Sequence, residues 1–277
     1  MQLNPRYDGS PILDLGPPAS DPAVPLLRQR RRFAATLAEL DDEQWAAPSR
    51  CAAWSVQDVV SHLVGTNQFW AISMASGLAG TPTRFLGSFD PVATPLQMVD
   101  AMRSDTAADV LARFEATNAE IADVVGGLDD DGWAAVGEAP PGHITLYGVA
   151  LHALWDSWIH ERDVVLPLGI EAVEEADEVS ECLRYALALG PGFLAMGGST
   201  RAGALAADAC DPDVQLVVEL GETVVVRDGP PPDGAVVVRG GAVDIVEALS
   251  FRGDADLGVA PDDRWVLGGL AAVFDQA

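Results

Sequence analysis

Four histidines occur in 277 residues, and three of them, His143, His152 and His160, fall within 18 positions of one another. The run His152-Ala-Leu-Trp-Asp156-Ser-Trp-Ile-His160 spaces two imidazoles and a carboxylate four residues apart. On a helix that spacing stacks side chains on nearly one face, so the three form a column of potential metal ligands. The fourth histidine, His62, lies in Trp54-Ser-Val-Gln-Asp58-Val-Val-Ser-His62. Ser55 is a good N-cap and Asp58 completes a capping-box variant, so a helix starts there with Val59, His62, Leu63, Thr66, Phe69 and Trp70 on its apolar face. His62 is therefore expected to point inward.

Two chemistries suit such groups. An ionised carboxylate inside an apolar bundle is costly unless a cation or hydrogen bonds compensate it, and a divalent metal does so while neutral imidazoles supply the other ligands. His62, Asp156 and His160 would then be a catalytic zinc set with an open position, equally suited to Fe(II) or another late transition metal. Alternatively they are a polar core in which Asp156 accepts hydrogen bonds from its histidine neighbours. His152, one turn from Asp156, is assigned an orienting role on that carboxylate, with a proton shuttle as the alternative. His143, after Pro140-Pro141-Gly142, is read as an exposed residue at a helix start.

The elements that must position these groups are mainly helical. A stripe of Val24, Leu27, Phe33, Leu37 and Leu40 marks a first helix from about Asp21. Helices follow from Ser55, over about 95–127 with a break near Asp105, after Pro140-Pro141-Gly142, and over about 172–189, where Gly190-Pro191-Gly192 is expected to punctuate the chain. Four amphipathic helices suggest an antiparallel bundle. The texture then changes: Val214–Val226 is valine-rich and partly alternating, Asp228–Gly234 is a turn cluster, Ala235–Arg239 reads as a strand, Ala242–Ser250 as a helix and Trp265–Phe274 as another short helix. The expected class is mainly α, then α+β, with an irregular proline-rich arm over 1–20, a helical bundle over 21–190 and a small α+β domain over 191–277.

Composition closes several classes. The net charge of −26 argues against nucleic acid and anionic membranes as partners. There is no lysine, which removes Schiff-base chemistry, pyridoxal phosphate anchoring and the phosphate-loop lysine. Cys51, Cys182 and Cys210 lie far apart without metal or disulfide spacing, which fits a reducing cytoplasm. All three are read as non-catalytic, Cys51 as a packing residue. No apolar stretch approaches the roughly 20 residues that span a bilayer, and the start shows no secretory signal. A cytoplasmic protein, monomer or homodimer, is expected, in the alanine-, glycine- and aspartate-rich style of a high-GC bacterial genome.

The segment Cys51-Ala-Ala-Trp54-Ser-Val-Gln-Asp58-Val-Val-Ser-His62-Leu63 resembles the Cys-x-x-Trp-[Thr/Ser]-Val-x-Asp-[Leu/Val]-x-x-His-Leu signature of the mycothiol-dependent maleylpyruvate isomerase family. That resemblance implies a DinB-like metal-binding four-helix bundle followed by a sterol-carrier-like α+β domain. The family's second metal segment, Glu-x-x-x-His with a downstream Asp, is similar to Asp156-Ser-Trp-Ile-His160-Glu-Arg-Asp163, with a carboxylate one methylene shorter. By resemblance His62, Asp156 and His160 would hold zinc and Asp163 would support them. The family's Gly-Arg pair after an amphipathic helix corresponds to Phe251-Arg252, so Arg252 would reach the bundle and grip a substrate carboxylate. The implied activity is isomerisation of, or transfer to, a small electrophilic substrate by a metal-activated low-molecular-weight thiol such as mycothiol. A hydrolase using zinc-activated water, and a non-catalytic small-molecule or partner-binding module of the same fold, are the alternatives.

Overall fold

The computed structural model describes residues 4–88, 90, 93–253 and 256–269. The chain opens with a short strand β1 (Leu13–Asp14) and then forms α1 (Ala23–Ala38), α2 (Asp42–Trp45), α3 (Val56–Leu78), α4 (Ala93–Met102), α5 (Ala107–Val125) and α6 (Asp130–Ala134). A hairpin of β2 (Val136–Ala139) and β3 (Gly142–Thr145) leads into α7 (Leu146–Val165) and α8 (Ala176–Met196). Helices α1, α3, α5 and α7 make the bundle: α3 packs on α5 and α7, and α1 closes the other side on the same two.

Two reciprocal caps set where the bundle helices begin. Ser55 Oγ accepts from the Asp58 N–H at 3.2 Å while the Asp58 carboxylate accepts from the Ser55 N–H at 3.0 Å. Thr106 and Asp109 repeat the device at the start of α5, which fixes the break between α4 and α5 near the expected Asp105. Helix α7 is buried on every side, and Asp156 is its one residue that is not buried. Such a helix must be wrapped all round: the bundle covers one flank and α8 the other.

After α8 come β4 (Gly203–Cys210), β5 (Val214–Leu220), β6 (Val224–Asp228), β7 (Val236–Gly241) and α9 (Ala242–Leu249), with a 3-10 segment at Pro261–Leu267. The sheet order is β1-β6-β5-β4-β7; β4–β5 and β5–β6 are antiparallel, while β1–β6 and β4–β7 are parallel. Side chains of α7 such as Leu154 and Trp158 share one core with Leu205 and Val218 of the sheet. No helix among the described residues is long and apolar enough to cross a membrane.

Several expectations are corrected. The buried stripe of α1 is Leu26, Phe33 and Leu37 with Gln29 and Arg30, and Val24 is exposed. The proline-rich arm is not simply laid over the surface: Ile12, Leu13 and Leu15 are buried, and β1 pairs with β6. Pro140-Pro141-Gly142 does not start a helix but turns the β2–β3 hairpin. Helix α8 runs straight through Gly190-Pro191-Gly192 to Met196. Pro191 gives up one backbone hydrogen bond, and Gly190 admits the Leu267 backbone so closely that an added Cβ would lie 3.3 Å from its Cα. The helix expected over Trp265–Phe274 is a 3-10 turn ending at Leu267, and residues 270–274 lie outside the described residues.

Candidate metal centre

His62, in the second turn of α3, and Asp156 and His160, one turn apart on α7, meet inside the bundle with their ligand atoms within 4.8 Å of one another. Both His62 Nε2 and His160 Nε2 lie 3.6 Å from Asp156 Oδ1. That is long for a hydrogen bond, but metal–ligand bonds of about 2.0–2.1 Å at a tetrahedral angle place donors about 3.4 Å apart. The donor set therefore fits a divalent ion with three protein ligands. Trp54 covers the two imidazoles, its ring centroid 5.2 Å from His62 and 6.4 Å from His160. The break in the burial of α7 at Asp156 leaves the carboxylate within reach of small molecules.

His160 is fixed through its other nitrogen. Its Nδ1 is 3.0 Å from Asp163 Oδ2, and Asp163 is fully buried. This carboxylate–imidazole arrangement turns Nε2 towards His62 and Asp156. Asp163 also accepts from the Cys51 thiol at 3.2 Å and from Arg252 Nε, at 3.0 and 3.1 Å to its two oxygens. Burial alone would raise Asp163, but His160 and the Arg252 guanidinium outweigh it and hold its pKa at about 2. Burial likewise disfavours the His160 cation, but its bonds to Asp163 and Cys51 and the Asp156 charge raise its pKa to about 10. Asp156 is held ionised against its own burial by His62 and His160. One half-buried and one fully buried carboxylate around one imidazole thus demand a cation, which a proton or a metal ion supplies.

The remaining site expectations fall out differently. The Asp156 carboxylate is held by Thr66, whose hydroxyl donates to Oδ2 at 3.2 Å. His152 instead pairs through Nδ1 with the Tyr185 hydroxyl, and burial pulls its pKa down to about 4. Arg252 does reach the bundle from beyond α9. It does so on a turn in which Arg252 N–H bonds the Glu247 carbonyl at 2.8 Å and Phe251 N–H the Ala248 carbonyl at 3.2 Å, a helix stop that calls for a left-handed residue. Phe251 takes that conformation at φ 55° without the glycine that favours it. The guanidinium is spent on protein groups: Asp163, the Cys51 sulfur at 3.4 Å and the Ser250 carbonyl at 3.5 Å. Cys51 is more than a packing residue, since its thiol joins Asp163 and Arg252. His143 is no exposed cap: in β3 its ring nitrogens meet the carbonyls of Tyr7 and Thr83 at 3.0 and 2.8 Å. Sequence reasoning missed Thr66 and Tyr185 as partners, and Arg50, which bonds Glu247 at 2.9 Å beside the same cluster.

The fold and site together define a helical-bundle protein with a candidate two-histidine, one-carboxylate metal centre and an attached α/β sheet. Residues 26–165 match the family model of the mycothiol maleylpyruvate isomerase N-terminal domain, and the chain belongs to that family. A crystal structure of the mycothiol-dependent maleylpyruvate isomerase has a similar fold, with a TM-score of 0.60 at 15% identity over 89% of this chain and 96% of that one. A histidine variant of that enzyme aligns with a TM-score of 0.59 at 14% identity over 85% and 90%. No protein of curated function matches the sequence.

Proposed function

We propose that this protein is a divalent-metal-dependent enzyme that activates a low-molecular-weight thiol, mycothiol or a close analogue, for isomerisation of or transfer to a small electrophilic substrate. Family membership supports the thiol chemistry, and the observation that carries the metal is the convergence of His62, Asp156 and His160 at the one unburied position of α7. His62, Asp156 and His160 hold the ion. Asp163 fixes the tautomer and orientation of His160, Thr66 orients Asp156, and Arg252 keeps Asp163 anionic and tied to the C-terminal sheet domain. When bound, the metal lowers the pKa of a coordinated thiol so that a thiolate persists at neutral pH. Arg252 is in this reading a positioning residue, because its nitrogens already serve Asp163, Cys51 and Ser250. Trp54 walls the site and excludes water from one side of the imidazoles. The three cysteines are unpaired, which fits a reducing cytoplasm.

The test is a calorimetric titration of mycothiol into zinc-loaded and metal-stripped protein. Saturable binding only to the loaded form is expected; equal binding to both forms would contradict a metal-activated thiol.

A further inference from the structure

Helices α3 and α7 face each other with two columns at one-turn spacing, and the columns run on past the metal ligands. On α3 the column is His62, Thr66 and Trp70; on α7 it is His160, Asp156 and His152. Thr66 bonds Asp156, and one layer further the Trp70 and His152 ring centroids lie 4.6 Å apart. Four residues rise about 6 Å along a helix, so His152 stands the length of a small molecule from the centre. It lies within electrostatic reach of both Asp156 and His62. Solvent touches the same face: His152 and His160, on either side of the unburied Asp156, each keep 8% of their surface, while Ala153, Leu154 and Ser157 keep none. His152 has one committed nitrogen and one idle one. Its Nδ1 pairs with the hydroxyl of Tyr185, which is fully buried. Nδ1 is the only partner of that hydroxyl among the described residues, so Tyr185 must donate or leave its own proton unpaired. Burial holds the imidazole neutral, with its pKa down at about 4, and its single proton therefore sits on Nε2. Among the described residues Nε2 bonds no protein group, and unlike the unpaired Nδ1 of His62 it is not sealed from solvent.

We propose that His152 is a substrate-binding residue of this site, whose Nε2–H donates a hydrogen bond to the carbonyl oxygen of the electrophile while Tyr185 holds the tautomer. The inference rests on the proposed thiol-dependent function. When the lone pair of a thiolate adds to a carbon conjugated with that carbonyl, the double-bond pair moves onto the carbonyl oxygen, and it returns when the thiolate leaves. A fixed donor steadies that charge in both directions and keeps its own proton. The role falls to His152 because Arg252 is committed to Asp163, Cys51 and Ser250. The Trp70 ring beside His152 offers a flat apolar wall, which suits a small planar conjugated carbonyl compound.

The test is nuclear magnetic resonance of protein labelled with nitrogen-15 in histidine, in zinc-loaded and metal-free forms at pH 7. Two-bond proton–nitrogen spectra should show the His152 proton on Nε2 in both forms, and Tyr185→Phe should give a mixture of tautomers. Titration with crotonamide, a conjugated carbonyl compound of low thiol reactivity, should shift the Nε2 resonance saturably. Binding about tenfold weaker is expected in His152→Phe, which keeps the ring packing, with partial recovery in His152→Gln, which restores a donor. His152→Phe should keep its zinc. A wild-type proton on Nδ1, no saturable crotonamide binding, binding that leaves Nε2 unmoved, or undiminished binding in a folded His152→Phe would each overturn the role, and the wild-type spectra decide it if that variant fails to fold. Loss of zinc in His152→Phe would overturn it too, by placing His152 in the metal set. Wild-type protein that takes up no zinc contradicts instead the function on which the inference rests, and the metal-free spectra and titration then still decide the role of His152.

Discussion

Asp163→Asn separates support of the metal centre from mere packing. The wild-type carboxylate is fully buried and serves three donors, His160 Nδ1 at 3.0 Å, the Cys51 thiol at 3.2 Å and Arg252 Nε at 3.0 and 3.1 Å. The amide keeps the shape but offers one acceptor oxygen, so its NH2 group must face a donor. Loss of a carboxylate behind a metal-bound imidazole costs about 10–100-fold in metal affinity, which is about 1.4–2.8 kcal/mol. Removing one partner of a buried ion pair costs about 3–5 kcal/mol. Arg252 is 26% exposed and Arg50 lies 3.6 Å from the same carboxylate, so water and sharing reduce this to about 2–3 kcal/mol of folding stability. That corresponds to a Tm lower by roughly 5–10 °C for a chain of this size. Zinc affinity is read by competition with a chromophoric chelator and stability by urea unfolding of the metal-free protein. Zinc affinity within twofold of wild type, with stability lowered as stated, would refute the link through His160 and leave Asp163 a purely structural ion-pair partner.

Other outcomes follow from the same geometry. Because His160 is held protonated in the metal-free centre, with a pKa of about 10, zinc binding at pH 7 should release a proton, seen as a calorimetric enthalpy that changes with the ionisation enthalpy of the buffer; a buffer-independent enthalpy contradicts this. His152 is neutral in the fold with its pKa depressed to about 4. The unfolded chain binds the proton more readily, so stability present above about pH 6.5 is lost as pH falls towards 4, amounting to about 3 kcal/mol. In His152→Phe, the difference in urea stability between pH 7 and pH 5 should shrink by about 2 kcal/mol, even though the variant is weaker at pH 7. Ser55→Ala removes the cap of α3 and should cost about 1 kcal/mol by urea unfolding. Glu138→Ala strips the acceptor from the Tyr7 and Thr83 hydroxyls and the N–H groups of Phe85 and Leu86. It should cost about 3 kcal/mol or more by the same measurement.

What the sequence disclosed was local. The Ser55–Asp58 box, the inward turn of His62 and the one-turn spacing of Asp156 and His160 depend only on residues three or four apart, and the structure places them as that spacing implies. The meeting of His62 with the other two needs the packing of α3 on α7, for which spacing within one segment carries no signal. Partners drawn from distant segments were invisible for the same reason. Tyr185 reaches His152 from α8, and His143 is claimed by carbonyls from the arm and the loop before α4. Strand β4, with Ala204, Ala206, Ala207 and Ala209, carries a helix-favouring composition and becomes a strand because β5 and β7 flank it. Gly190-Pro191-Gly192 carries the signals of a turn, yet the close approach of Leu267 and burial among apolar neighbours hold it in α8. Arg252 could be placed near the bundle by resemblance, but its commitment to Asp163 follows from the turn at Phe251, which the residue type argues against.

Metal content decides most directly whether His62, Asp156 and His160 form a metal centre or a polar core. Protein purified without a nickel column or chelator should carry close to one divalent ion per chain, and His62→Ala and His160→Ala should each lose it with helical content unchanged, while His143→Ala retains it. Full occupancy in His62→Ala, or metal-free wild-type protein that takes up no zinc on titration, would contradict the account.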